Sequence, residues 1–171
     1  KCLNLAYCTL FSRRSSNANN QPKMPTFRDL EQLDVSGSDI TFEHLRKVIL
    51  NAPHLQSLSV NDLDQLKTYD ACKMVERDLP NVEVLSMNWI PTDALGAFIA
   101  YRGIIRNINM PKLEYLSLRG HDLFEDEHYR LVSRERNANS LDNLRVLDLL
   151  GANANQKFLS KHATHLDRLI F

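Results

Sequence analysis

The sequence predicts an α/β solenoid, in which short parallel strands line a concave face and helices a convex one, and three observations predict it. One apolar pattern recurs in register along the whole chain: Leu113, Leu116, Leu118 returns as Leu30, Leu33, Val35; as Leu55, Leu58, Val60; as Val82, Leu85, Met87; and as Leu144, Leu147, Leu149. Partial copies stand at Leu3 with Leu5 and at Leu166 with Leu169. The central positions Leu3, Leu33, Leu58, Leu85, Leu116, Leu147 and Leu169 lie 30, 25, 27, 31, 31 and 22 residues apart, periods that mean a repeat array. Crossovers of one hand and that length lead from strand to parallel strand. Seven strands at about 4.8 Å spacing make a sheet roughly 29 Å across.

Each element has a local reason. Cys2 to Thr9 reads as the end of a first strand, and the chain is expected to be part of a longer array occupying residues 1–171 as one domain. Ser12 to Pro25 has almost no large apolar residue and two prolines, so it reads as a mobile insertion without a buried face. Its Arg13-Arg14-Ser15-Ser16 reads more readily as a solvated loop than as a kinase target. The second unit predicts a helix over Thr41 to Asn51, where Phe42, Leu45, Val48 and Ile49 share one face and Pro53 forbids continuation. The third predicts one over Thr68 to Arg77, with Thr68 as cap and Ala71, Cys72, Val75 and Leu79 inward. The fourth predicts a helix over Thr92 to Tyr101 ended by Gly103. In the fifth, Asp122 and Glu125 form a capping pair ahead of Leu131 and Val132, and in the sixth Phe158, Leu159 and His162 form one stripe.

Composition excludes several classes. No apolar run approaches the roughly 18 residues of a membrane span, so no membrane partner is expected. Lys plus Arg equals Asp plus Glu at 21 each, so no basic field would hold a nucleic-acid backbone. Cys2, Cys8 and Cys72 have no metal-like spacing, and their odd number fits a reducing compartment, hence an intracellular protein, cytoplasmic or nuclear. Lys1 opens the chain and no signal sequence follows, so the natural N-terminus is expected to lie further upstream.

The stretch Leu30 to Leu55, with Ile40-Thr41 at the helix start, resembles one unit of a leucine-rich repeat of the cysteine-containing type. Ala52-Pro53-His54-Leu55, Leu79-Pro80-Asn81-Val82 and Met110-Pro111-Lys112-Leu113 resemble that family's turn into the next strand, and Cys8 stands in its Cys slot. Ser38, Leu63, Ile90, His121 and Ala152 hold the same slot in the other copies, and two copies are stretched to 31 residues. Such repeats occur in F-box proteins and related substrate receptors of cullin-based ubiquitin ligases. The resemblance therefore implies a leucine-rich-repeat solenoid in that pathway, meeting cullin or adaptor subunits through sequence outside this chain.

Period two sorts the strand side chains, sending Leu33 and Val35 to the core and Gln32, Asp34 and Ser36 to the open side. The same count exposes Ser57, Ser59 and Asn61; Val84, Ser86 and Asn88; Tyr115, Ser117 and Arg119; and Val146, Asp148 and Leu150. Small polar residues fill the middle column, while Val84, Tyr115, Val146 and Leu150 form an apolar patch beside Arg119. Exposed apolar residues next to Tyr and Arg suit a protein or peptide partner. The bland alternative is a solvated sheet face, or one covered by another part of the same protein.

Catalytic and metal sites are not expected. His162 with His165, and His121 with His128, lack companions arranged as a metal set. Asp34 and Asp148 stand four strands apart, about 19 Å, too far for paired acid and base work. No glycine-rich phosphate loop is present among five glycines, and no cofactor is expected. The sequence reading is a non-enzymatic interaction module; the alternative is a scaffold or assembly-factor subunit of a large complex, with a hydrolase or transferase a distant third.

Overall fold

A computed structural model describes residues 1–9, 26–66, 68–89, 110–120, 142–152 and 165–171. The expected insertion at Ser12 to Pro25 and the helices expected after Thr92, Asp122 and near Phe158 lie outside the described residues. Within them is one seven-stranded sheet whose order follows the chain from β1 (Cys2–Asn4) through β2 (Gln32–Asp34), β3 (Ser57–Ser59), β4 (Val84–Ser86), β5 (Tyr115–Ser117) and β6 (Val146–Asp148) to β7 (Arg168–Ile170). Every pairing is parallel. Leu3, Leu33, Leu58, Leu85, Leu116, Leu147 and Leu169 face one another across successive pairs, so the leucine column seen in the sequence is the register of the sheet.

Helix α1 (Phe42–Leu50) follows β2, and α2 (Thr68–Arg77) follows β3. Thr41 caps α1, its Oγ1 accepting the His44 N–H at 3.4 Å, and Leu45, Val48 and Ile49 are buried. In α2, Ala71, Val75 and also Met74, which the stripe did not include, are fully buried, and Leu79 follows them into the core. Helix α2 begins at Thr68. These helix faces and the strand leucines join in a single core, where burying one leucine is worth about 1.5–3 kcal/mol. The pair is also tied at the surface: Arg46 Nε and Nη2 donate to the two carboxylate oxygens of Asp78 at 2.7 and 3.3 Å.

The proline turns form as β-turns with proline second. Leu55 N–H donates to Ala52 O, Val82 N–H to Leu79 O and Leu113 N–H to Met110 O, at 3.1, 3.3 and 3.0 Å. Past the strands, pairing continues to a common bend. Tyr7, Gly37, Asp62, Trp89, Gly120 and Gly151 stand at the same place in six copies, three residues beyond their strands, and all have φ between +53° and +72°. The N–H of each of the first five donates to the carbonyl just before the next bend residue, at 2.7 to 3.3 Å. This row is the C-terminal rim of the sheet.

Candidate open-face interaction site

The face of the sheet turned away from the helices carries the expected side chains, but solvent does not reach all of them. Gln32 and Val84 are exposed, and Asp34, Ser57, Ser59, Asn61, Ser86, Asn88, Tyr115, Arg119 and Val146 are half-buried; Leu150 is exposed at the rim. Ser36, Ser117 and Asp148 are buried, at 7, 1 and 0% exposure, which corrects the expectation that they line the surface. Strands at parallel spacing let a long side chain lie over a short neighbour, and small polar groups then sink into a hydrogen-bonded layer.

That layer follows a rule. The N–H two residues past each strand needs an acceptor. Where the strand ends in Asn or Asp, its own side chain supplies one: Asn4 Oδ1 accepts from Ala6, Asp34 Oδ1 from Ser36 and Asp148 Oδ1 from Leu150, at 2.9, 3.0 and 3.2 Å. Where it ends in Ser, the preceding repeat supplies it. Ser36 Oγ accepts the Asn61 N–H, Asn61 Oδ1 the Asn88 N–H and Asn88 Oδ1 the Arg119 N–H, at 3.2, 2.8 and 2.7 Å. The same amide oxygens accept from Ser86 Oγ and Ser117 Oγ at 2.7 and 2.8 Å. Asn61, Asn88, Ser86 and Ser117 therefore act first as struts between repeats.

Asp148 closes the layer. Arg119 Nε and Nη2 donate to its Oδ2 at 2.8 and 2.5 Å, and Tyr115 Oη at 3.3 Å. Burial works to raise the Asp148 pKa, but the Arg119 hydrogen bond, the Leu150 N–H, the Arg119 charge and the Tyr115 hydroxyl outweigh it and hold the pKa below the ordinary carboxylate value. Arg119 is thus a lid on Asp148, with two fifths of its side chain still in solvent.

Beside this layer the face carries an apolar stripe. Val84, Tyr115 and Val146 are consecutive partners in register, so they form one stripe across β4, β5 and β6. Leu150 is 45% exposed and Trp89 59% exposed on the rim beyond it. Trp89 and Tyr7 are bend residues, which the period-two count, ending one residue short of each bend, does not reach. The glycines at the same place in other copies, Gly37, Gly120 and Gly151, are the signal that would have found them.

At the N-terminal edge a cleft of about 340 Å³ lies between Glu114, Asp142, Arg145, His165 and Asp167. Its His165 was one of the histidines weighed as a metal ligand; His162, His121 and His128 lie outside the described residues. Among the described residues no three His, Cys, Asp or Glu side chains stand together as a metal set, and no helix is long and apolar enough to cross a membrane. Cys2 is exposed, Cys8 half-buried, and neither is in a disulfide. No model of a known protein family matches the chain, and no curated protein matches it.

Proposed function

We propose that this chain is a leucine-rich-repeat solenoid acting as a non-enzymatic protein-interaction module, whose open face takes a protein or peptide partner. The observation that carries the reading is the stripe of Val84, Tyr115 and Val146, consecutive partners in register, with Leu150 exposed at the rim, beside polar groups such as Asn61, Asn88, Ser117 and Asp148 that are engaged in the layer. Aromatic and aliphatic groups held rigidly by a sheet make interface anchors, since little conformational freedom is lost when they are covered. The pathway assigned is substrate recognition for a cullin-based ubiquitin ligase, in the cytoplasm or nucleus. It rests on the resemblance of the repeat and of its proline turns.

A scaffold subunit fixed in a larger complex is the second reading. In it the helix side is covered as well, and Leu50 at the end of α1, 59% exposed, is the apolar residue a neighbouring subunit would cover.

Purification of the full-length protein with its associated subunits separates the two. Cullin and adaptor subunits should accompany it, and the double variant Val84→Arg with Leu150→Arg should keep them while losing the substrate. Lys47→Ala, on the exposed side of α1, should lose neither. Absence of every cullin and adaptor, or loss of partners through Leu50→Lys alone, puts the scaffold reading ahead.

A further inference from the structure

We propose that the rim around Trp89 is the seat for a basic side chain, lysine or arginine, presented by the protein segment that docks on the open face. The assignment rests on the reading of that face as a docking surface and names the chemistry of its occupant.

Three observations meet there. Trp89 holds a left-handed backbone, φ +56°, which a bulky residue rarely adopts and which glycine supplies without strain at Gly37, Gly120 and Gly151. The strain is kept, and strained residues persist where the surrounding structure over-determines them, often at binding sites. One side of the indole is seated: it lies so close over Gly120 that a methyl group there would run into its ring. The ring is nonetheless 59% exposed, so an indole fixed in place presents a surface to solvent.

The charge beside it is negative. Asp62 is the bend residue of the preceding repeat, exposed, and its N–H donates to the carbonyl of Asn88, next to Trp89, at 2.8 Å. Asp64 follows two residues on and is also exposed. Among the described residues neither carboxylate is in an ion pair. Arg119, whose carbonyl accepts the Trp89 N–H, has its guanidinium spent on Asp148. A fixed indole, with carboxylates on the adjoining rim of the preceding repeat, would attract an ammonium or guanidinium group that stacks on the ring and pairs with the acid. A phosphate or an acidic peptide would be repelled. The stripe of Val84 and Tyr115, at the opposite end of the strands and five residues before the bends at Trp89 and Gly120, then takes apolar residues of the same segment.

Trp89 is the single tryptophan of these 171 residues, so their tryptophan emission, excited selectively over the tyrosines, reports on this site. The probe is the capped pentapeptide Ser-Gly-Arg-Gly-Ser, titrated beside the same peptide with neutral citrulline in place of arginine. The arginine peptide should shift the Trp89 emission saturably, with an apparent affinity about fivefold or more above that of the citrulline peptide. Asp62→Asn should erase most of that preference and leave the fold intact, because asparagine accepts the left-handed bend. Added salt should weaken the arginine peptide more than the neutral one. Equal binding of the two peptides, no saturable shift, or an unchanged preference in Asp62→Asn overturns the assignment. The docking reading fails separately: partner capture that survives Val84→Arg with Leu150→Arg sinks it whatever the peptides do. A flat titration with capture lost in that variant sinks only the rim assignment.

Discussion

Arg119, at the rim after β5, places two guanidinium nitrogens on one oxygen of Asp148 in β6, and the carboxylate beneath is wholly removed from solvent. A charge buried this way is stable only while its donors stay in place. Asp148→Ala, which removes three donors' acceptor and uncaps the Leu150 N–H, should cost about 2 kcal/mol or more in urea unfolding. Arg119→Met, which strands the buried carboxylate, should also lower the midpoint, whereas Arg119→Lys should restore part of the loss.

The same pair sets a pH dependence. The Asp148 pKa is depressed in the folded protein, so the folded state binds its proton less readily than the unfolded chain. Its stabilisation is fully present above the ordinary aspartate value of about 3.9 and is lost as pH falls through the folded value. Melting curves from neutral pH down to acid should therefore fall more steeply for the parent than for Asp148→Asn. Equal slopes would mean that Arg119 does not hold the charge.

Gly120 and Gly151 share a backbone conformation, with φ of +72° and +70°, but not their surroundings. A methyl group at Gly120 meets the Trp89 ring, and one at Gly151 meets nothing within 4 Å. Gly151→Ala should cost about 1–2 kcal/mol, the strain of a left-handed alanine. Gly120→Ala should cost more, and it alone should shift the tryptophan emission, because the indole must leave its seat.

Ser38 sits in the slot where the family resemblance expects cysteine. It is 5% exposed, and its hydroxyl has no hydrogen-bond partner among the described residues. Replacing it with alanine removes a buried polar group at little loss of packing, so Ser38→Ala should stabilise the protein by about 1 kcal/mol. A lower melting temperature for Ser38→Ala would show that the hydroxyl is satisfied.

Within β5 neighbouring residues point opposite ways, yet both resist change. Leu116→Ala should cost about 2–5 kcal/mol through the cavity left in the core. Ser117→Ala, on the face expected to be open, should cost about 1 kcal/mol, since it removes the bond to Asn88 Oδ1. A double-mutant cycle with Asn88→Ala should show coupling between the two positions.

The leucine spacing by itself determined the sheet: Leu33, Leu58, Leu85, Leu116 and Leu147 pair in the order and register that their recurrence implies, because a strand's side-chain period is two and a slip would turn every leucine outward. It also placed α1 to within one residue at each end, and its core face, since Thr41, the apolar spacing and Pro53 are local signals. Only the tertiary structure decided which residues of the open face meet solvent. Whether Asp148 is a surface charge or a buried one depends on Arg119, 29 residues away along the chain and one strand away in space. Whether Trp89 is core or surface depends on a backbone bend that seats its ring on Gly120, 31 residues on. Periodicity tells which side of a strand a residue takes; how deep it lies there is set by the side chains of the neighbouring repeats, which no single copy of the pattern contains.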